Sequence, residues 1–435
     1  MNYNETCEYL TSLERLGSVP GLSAITELLD RLGNPQNHVR FVHISGTNGK
    51  GSVGSFICSI LIEAGYRVGR YLSPAVWNPL EIIELNGQNI TAGEFSEIID
   101  KIKNVCDSMH RETGIQPTRF EIETAAAFVF FDIKKCDIAV IECGMGGLLD
   151  ATNVITNTEC AVITKIALDH MSFLGDSVLK IAAHKAGIIK PKASVICLDD
   201  PVTSPVIRQY GACHGMKEFI TVSENDIHIN SSSLRDGLIF DYKAYKNIKI
   251  HLSGTYQAMN AALAAEVCMA LRGHYNISEE NIRNGLMHTT WNGRFQVLGS
   301  NPYFIIDGAH NENGAMALAN CIDNYFPGKK ATFIIGVFAD KEYGRMLNHL
   351  MCYADMVITI ETPDNKRALS SKKLAEYIKK YYDIAVYESE NIDDAVKTAL
   401  KHTGDCGIII ACGSLSHLRM VSDAYDGLKG RQNNG

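Results

Sequence analysis

The sequence predicts an α/β protein: a doubly wound parallel sheet carrying a P-loop, followed by a smaller Rossmann-like α/β domain. Three observations predict it. Short apolar, β-branched runs alternate with helix-length segments, the pattern that builds βαβ units. A glycine-rich stretch, Ser45-Gly46-Thr47-Asn48-Gly49-Lys50-Gly51-Ser52, stands between the first of these runs and a helical segment. The alternation then restarts after Trp291-Asn292-Gly293-Arg294-Phe295, which divides the 435 residues into domains 1–296 and 297–435.

Taken in order, residues 5–33 read as amphipathic helix, ended by Gly33-Asn34-Pro35. The run Arg40-Phe41-Val42-His43-Ile44 is the first strand, and 53–64 is the helix after the glycine turn. A strand at 66–71 closes at Ser73-Pro74, and Asn86-Gly87 between apolar runs signals a hairpin over 82–90. Helices follow at 92–109 and 118–131. Strand 137–142 is apolar until Glu142, as a strand buried on both faces should be. It runs into Cys143-Gly144-Met145-Gly146-Gly147-Leu148-Leu149-Asp150. Strand 160–164 leads to Leu168-Asp169-His170, then to a helix with Lys185 near its end and a strand at 194–197. A β-rich patch over 219–252 and a helix over 255–272 carrying Asn260 complete the first domain. Strands at 303–306, 331–337, 356–360, 384–387 and 407–410 give the second domain about five, the first running into Asp307-Gly308-Ala309-His310-Asn311. The run 361–367 reads as a solvated loop, and the polar tail 427–435 is expected to fray.

Composition limits the partners. Hydrophobic residues at 46% and charged residues at 21% are those of an ordinary globular protein. A net charge of −8 gives no general attraction to nucleic acid or anionic membrane, so any phosphate must be held by local groups. Thirteen cysteines without a CxxC pair read as reduced thiols. No signal peptide is evident, and no apolar run reaches the ~20 residues that span a bilayer. A cytoplasmic monomer without nucleic-acid or membrane partners is expected.

The glycine stretch is the strongest chemical signal. A strand, a glycine turn and a helix N-terminus form an anion site, in which backbone N–H groups converge on phosphate and Lys50 reaches the β/γ-phosphates. Gly51 separates Lys50 from Ser52, unlike the usual GxxxxGK[ST]. On these eight residues alone, a tight turn with a solvated lysine stays open. Ser52 could offer a hydroxyl to Mg²⁺, and a carboxylate closing a buried strand points to Glu142 as a ligand. His170 alone reads as a hydrogen-bonded loop histidine, and Lys185 as a helix C-terminal cation. Asp307 and His310 read equally as a surface turn; Trp291 and Arg294 either clamp a nucleotide or stiffen a linker. What groups Lys50, Glu142 and His170 is position: each lies at or just past a strand's carboxyl end, where such sheets bind ligands.

Ten blocks in order resemble the folylpolyglutamate synthase/dihydrofolate synthase family of the Mur ligase superfamily: SGTNGKGS (45–52), YLSP (71–74), TRFEIETAAAF (118–128), ECGMGGLLDATNV (142–154), ITKIALDH (163–170), HKAGIIK (184–190), LSGTYQAMNAALA (252–264), GRF (293–295), IIDGAHN (305–311) and ACGSL (411–415). The resemblance implies an ATP-binding central domain and a C-terminal ligase domain. It implies an ATP- and Mg²⁺-dependent ligase that adds L-glutamate to a folate or dihydropteroate carboxylate through an acyl phosphate. Carried over by position, Gly46, Thr47, Asn48, Gly49, Lys50, Gly51 and Ser52 would bind the ATP phosphates. Lys50, His170 and Lys185 would be catalytic. Ser52, Ser73 and Glu142 would hold one Mg²⁺ and His170 a second, together with a carbamylated Lys185; a monovalent cation is also implied. Asn260 and Arg294 would meet the nucleotide, and Asp307 and His310 would reach it from the second domain. Phe120, Glu121, Leu149, Asp150 and Ala151 would lie where the pterin-bearing substrate binds. The sequence departs from the family pattern at Ala75, Leu148, His184 and around Glu81-Ile82-Ile83, near the acceptor rather than the ATP positions. An alternative therefore stands beside the first reading: a paralogous ligase joining another carboxylate to an amino acid or other amine.

Overall fold

The apolar runs become the strands of three sheets in the computed structural model, which describes residues 1–17, 19–363 and 365–432. Strands β1 (Phe41–Ser45), β2 (Val68–Tyr71), β3 (Ile83–Leu85), β4 (Gln88–Asn89), β5 (Ile138–Glu142), β6 (Thr158–Ile163), β7 (Ser194–Leu198) and β8 (Glu218–Val222) form an eight-stranded sheet in the order β4-β3-β2-β5-β1-β6-β7-β8. From β2 to β8 every neighbouring pair is parallel; the hairpin β3–β4 adds an antiparallel edge. Strands β9 (Ile227–Ser233), β10 (Gly237–Tyr242) and β11 (Tyr245–Ile250) form a three-stranded sheet. The third sheet holds β12 (Gln296–Ser300), β13 (Tyr303–Ile306), β14 (Ala331–Ile335), β15 (Ala354–Thr359), β16 (Ala385–Glu388) and β17 (Ile408–Cys412), ordered β12-β13-β17-β14-β15-β16. All its pairs are parallel except β12–β13.

The chain divides into two compact units. One comprises Met1–His228, Asp241–Ile248 and Met259–Thr289; the other comprises Ile229–Phe240, Lys249–Ala258 and Thr290–Gly435. In the first, β1 is buried along its whole length because helices cover both faces of the sheet. Phe41, Phe128, Phe131 and Ile141 belong to the core on one side, and Ile163, Ile181 and Val195 to another. In the second unit Ile305, Phe333, Val357 and Ile410 carry the sheet's apolar face. Among the described residues no helix is long and apolar enough to cross a membrane.

Several expectations change. The helix predicted over 5–33 is two, Tyr3–Leu13 and Ser23–Arg31, because Gly17 and Gly21 take positive φ between them and Pro20 has no N–H to donate. The helix after the glycine turn starts at Lys50, not at 53, so Lys50 is a first-turn residue rather than a loop lysine. The second unit's sheet has six strands, since β12 pairs antiparallel with β13 across a short connection. The tail is helical over Leu418–Gln432, and the remainder of the predicted frayed segment, 433–435, lies outside the described residues. In the predicted loop 361–367, Asp364 also lies outside them, while Arg367 pairs with Asp340 at 2.7 Å and stacks over Phe338. The hairpin is as expected: Asn86 and Gly87 both take positive φ, as a tight two-residue turn requires.

Candidate active site

The glycine loop is built by its neighbours as much as by its own glycines. Gly49 adopts φ 91° and caps helix Lys50–Glu63 with no side-chain bond to the first-turn N–H groups. The residues just past β6 fasten the loop. The backbone N–H groups of Thr47 and Asn48 donate to the Lys165 carbonyl at 2.8 and 3.2 Å. Thr164 Oγ1 donates to the Asn48 carbonyl at 2.8 Å, and Thr47 Oγ1 donates to the Ala167 carbonyl at 3.0 Å. A side chain at Gly46 would place its Cβ 1.8 Å from Thr164 Oγ1, and one at Gly49 would lie 2.8 Å from Asn260 Oδ1. Asn260 thus packs directly on the loop. Behind it, buried Arg70 donates to the Gly51 carbonyl at 3.1 Å. Ser52 is buried within the helix's first turn.

Sheet register groups the remaining predicted residues of this unit. Tyr71 of β2 pairs with Ile141 of β5, Glu142 of β5 with Ile44 of β1, and Ser45 of β1 with Ile163 of β6. Ser73, Glu142, the glycine loop and the 164–170 segment therefore follow four adjacent parallel strands at one edge. Lys50 Nζ lies 3.7 Å from Glu142 Oε1, both side chains mostly buried. His170 takes φ 49° and caps a short helix, with Nε2 3.8 Å from Asp169 Oδ2.

Lys185 is not the solvated helix-end cation that its position alone suggested. It is 3% exposed and donates from Nζ to the Gly46 carbonyl at 2.6 Å. Burial, and next the positive charge of Lys50, bring its pKa down to about 7, against the smaller pull of Asp169 and Asp150. The preceding His184 is also pushed down, by burial first and then by Lys185.

The predicted acceptor residues divide. The Phe120 ring lies over Gly144, where a Cβ would sit 2.7 Å from it, and 6.2 Å from the Tyr71 ring. Leu148 and Leu149 are 40% and 43% exposed. Glu121 and Asp150, by contrast, spend their carboxylates on the backbone. Glu121 Oε2 accepts from Thr118 N and Oγ1, both at 2.8 Å, closing a capping box. Asp150 accepts from Met145 N and Thr152 N. Ala151 is buried.

In the second unit, Asp307 follows β13 and is buried. Its carboxylate accepts from Phe295 N and Ala309 N, each at 2.8 Å. Burial raises its pKa, and the Arg294 guanidinium opposes that rise. A Cβ at Gly308 would lie 2.4 Å from Arg294 Nη1, so arginine and glycine are in contact. His310 Nδ1 donates to the Gly308 carbonyl at 2.8 Å, which fixes the tautomer. Asp307, Arg294 and His310 thus form one local group. Not anticipated from sequence were Thr164 and the chain of His43, Cys143 and Thr152 beneath the loop. A histidine inside the apolar run Phe41-Val42-His43-Ile44 was the available signal for the second.

Two α/β units, one built around a phosphate-type loop and the other around an Asp-Gly-Ala-His-Asn turn, define a Mur-type ligase. Residues 44–268 match the Mur ligase middle domain, and residues 293–415 match the Mur ligase glutamate ligase domain. More narrowly, the chain belongs to the folylpolyglutamate synthase/dihydrofolate synthase family of ATP-dependent ligases. It is 34% identical over 439 residues to the dihydrofolate synthase/folylpolyglutamate synthase of Bacillus subtilis, covering 98% of this chain and 99% of that one. The Mycobacterium tuberculosis folylpolyglutamate synthase complexed with ADP matches with TM-score 0.87 and 28% identity over 99% of both chains. Escherichia coli FolC in complex with DHPP and ADP matches with TM-score 0.84 and 25% identity over 98% of both.

Proposed function

We propose that this chain joins L-glutamate to the carboxylate of a folate or dihydropteroate, using ATP and passing through an acyl phosphate. The observation that carries the reading is the glycine loop at the carboxyl edge of β1, with Lys50, Glu142 and the buried amine of Lys185 gathered on it. The acceptor carboxylate attacks the γ-phosphate, ADP leaves, and the glutamate amine then displaces phosphate from the acyl group. The loop N–H groups and Lys50 hold the phosphates while charge moves from the γ-phosphoryl group to ADP. Asn260, Arg294, Asp307 and His310 are assigned to the nucleotide, as the resemblance has them. Phe120 and the 149–151 segment are assigned to the acceptor.

Magnesium fits the donor set. Ser52, Ser73 and Glu142 are hard oxygen donors, and Glu142 already faces a cation in Lys50. Ser52, Ser73 and Glu142 would hold one ion, and His170 with a carbamylated Lys185 a second. When bound, the ions neutralise phosphate charge. Carbon dioxide adds only to a neutral amine, and burial brings the Lys185 pKa down to about 7, so that the neutral amine is abundant near pH 7 and predominant above it. We also read the chain as a cytoplasmic monomer with small-molecule partners only. The net charge of −8 and thirteen free thiols support that reading.

A second reading changes only the acceptor. Leu148 presents apolar surface beside Asp150 where the resemblance has an arginine, which favours a less anionic carboxylate. An acceptor labelled with ¹⁸O in its carboxylate tests the shared mechanism. Label should appear in the phosphate released with ATP and glutamate; phosphate released without label would refute the acyl phosphate. Comparing pteroates, folates and unrelated carboxylates in that assay separates the two readings.

A further inference from the structure

A buried polar chain lies beneath the glycine loop, and the steps above do not use it. His43, in the middle of β1, is fully buried. Its Nε2 is 2.8 Å from Thr152 Oγ1 and 3.1 Å from Cys143 Sγ. Thr152 Oγ1 donates to Asp150 Oδ1 at 2.6 Å. The same oxygen accepts from Thr152 N at 3.0 Å, while Asp150 Oδ2 accepts from Met145 N at 2.8 Å. Cys143, Thr152 and Asp150 are buried as well.

The direction of the chain follows from proton count. Burial pushes the Asp150 carboxyl up, and the Met145 and Thr152 N–H groups and the Thr152 hydroxyl oppose that rise. In the observed geometry Asp150 Oδ1 takes the single hydroxyl proton of Thr152. Thr152 Oγ1 must then accept, so His43 carries its proton on Nε2. Nδ1 is left with a lone pair, and that atom is buried without a hydrogen-bond partner among the described residues. Burial keeps the ring neutral, its pKa brought down to about 3. A leucine would fill the same space without an unsatisfied nitrogen, so packing alone does not account for the imidazole.

What the chain holds is the loop over 143–151. Its Gly146 carbonyl accepts from Ser45 Oγ at the end of β1. Leu148 N donates to the His184 carbonyl at 2.9 Å, and a Cβ at Gly147 would lie 2.8 Å from the Lys185 carbonyl. The loop thus ties β1 to the helix end that carries Lys185. We propose that His43 and Thr152 are positioning residues that act through Asp150, fixing the 143–151 loop so that Leu149, Asp150 and Ala151 present the acceptor beside Lys185. The kinetic part of this inference rests on the acceptor assignment proposed above.

Thr152→Val keeps the shape and breaks the hydroxyl's contacts with Asp150, His43 and Cys143; Thr152→Ser restores them. His43→Leu removes only the first link, and carries the test should the valine variant not fold. The measurements are KM for acceptor and for ATP, kcat, and hydrogen exchange at the Met145 amide. In Thr152→Val, kcat/KM for the acceptor should fall about tenfold and the Met145 amide should exchange about tenfold faster, the scale of one lost hydrogen bond. KM for ATP should stay within about twofold, His43→Leu should lose less, and Thr152→Ser should recover both readouts. Parental acceptor kinetics and protection in Thr152→Val, an equal loss for ATP, or a serine variant as impaired as the valine one would overturn the proposal. Should the parent ligate no pteroate or folate, the proposed function fails instead, and amide exchange still decides whether the chain holds the loop.

Discussion

Replacing Lys185 by methionine keeps the length of the side chain and removes a charge that the fold keeps from water. The sign of the pH dependence follows from its two pKa values. In the unfolded chain the amine titrates near 10.5; in the folded one, burial and the charge of Lys50 bring it to about 7. Between those values the unfolded chain binds a proton that the folded chain does not, so stability rises with pH. Below pH 7 both states are protonated, and the folded state carries the full penalty of a buried ammonium. Each pH unit corresponds to about 1.4 kcal/mol, and the whole span to about 5 kcal/mol at most. Urea unfolding in buffer free of carbon dioxide, at intervals from about pH 6.5 to 9.5, reads this directly. Lys185→Met should be the more stable form near neutrality. The parent should close the gap by about 3 kcal/mol between pH 7.5 and 9.5. A difference that does not change with pH would mean that Lys185 stays charged in the folded protein, and would remove the neutral amine on which carbamylation depends.

Three further substitutions probe the site. Gly46→Ala puts a methyl 1.8 Å from Thr164 Oγ1, so the loop must shift; ADP affinity by calorimetry should fall about tenfold or more, and an unchanged affinity would separate the loop from the nucleotide. Lys50→Met should lower kcat by about a hundredfold or more, and because it leaves the mostly buried Glu142 carboxylate without the cation 3.7 Å away, it should also lower the urea unfolding midpoint. Parental turnover would exclude it from phosphate binding. Asp307→Ala leaves two backbone N–H groups and Arg294 without their carboxylate, and should cost about 2–4 kcal/mol in urea unfolding. An unchanged midpoint would show that the turn is held by other bonds.

The fold was legible wherever local chemistry agreed with the global arrangement. Strand Tyr303–Ile306 and the Asn86-Gly87 hairpin follow directly from apolar runs and a positive-φ dipeptide. The N-terminal helix was misread because its apolar period continues across Gly17 and Gly21, where the backbone leaves the helical region. Strand β12 was missed because an antiparallel edge strand with partly exposed residues has no apolar run to mark it. In the site, residue type marked the glycine loop, but not the environment of Lys185. A lysine near a helix end is ordinarily solvated, and only the close approach of the Gly46 carbonyl, which is 139 residues away in sequence, reveals its burial. Glu121 and Asp150 show the reverse limit: sequence position suggests ligand contact, while their carboxylates bind backbone amides that only the fold brings to them.

The measurement that bears most directly on the proposed activity is the mass of the product formed from ATP, glutamate and a pool of pteroates, folates and unrelated carboxylates. The account predicts a pteroate or folate heavier by one glutamate less one water, with one ADP and one phosphate formed for each bond. ADP release that leaves every folate-type carboxylate unmodified, or that proceeds equally without glutamate, would contradict it.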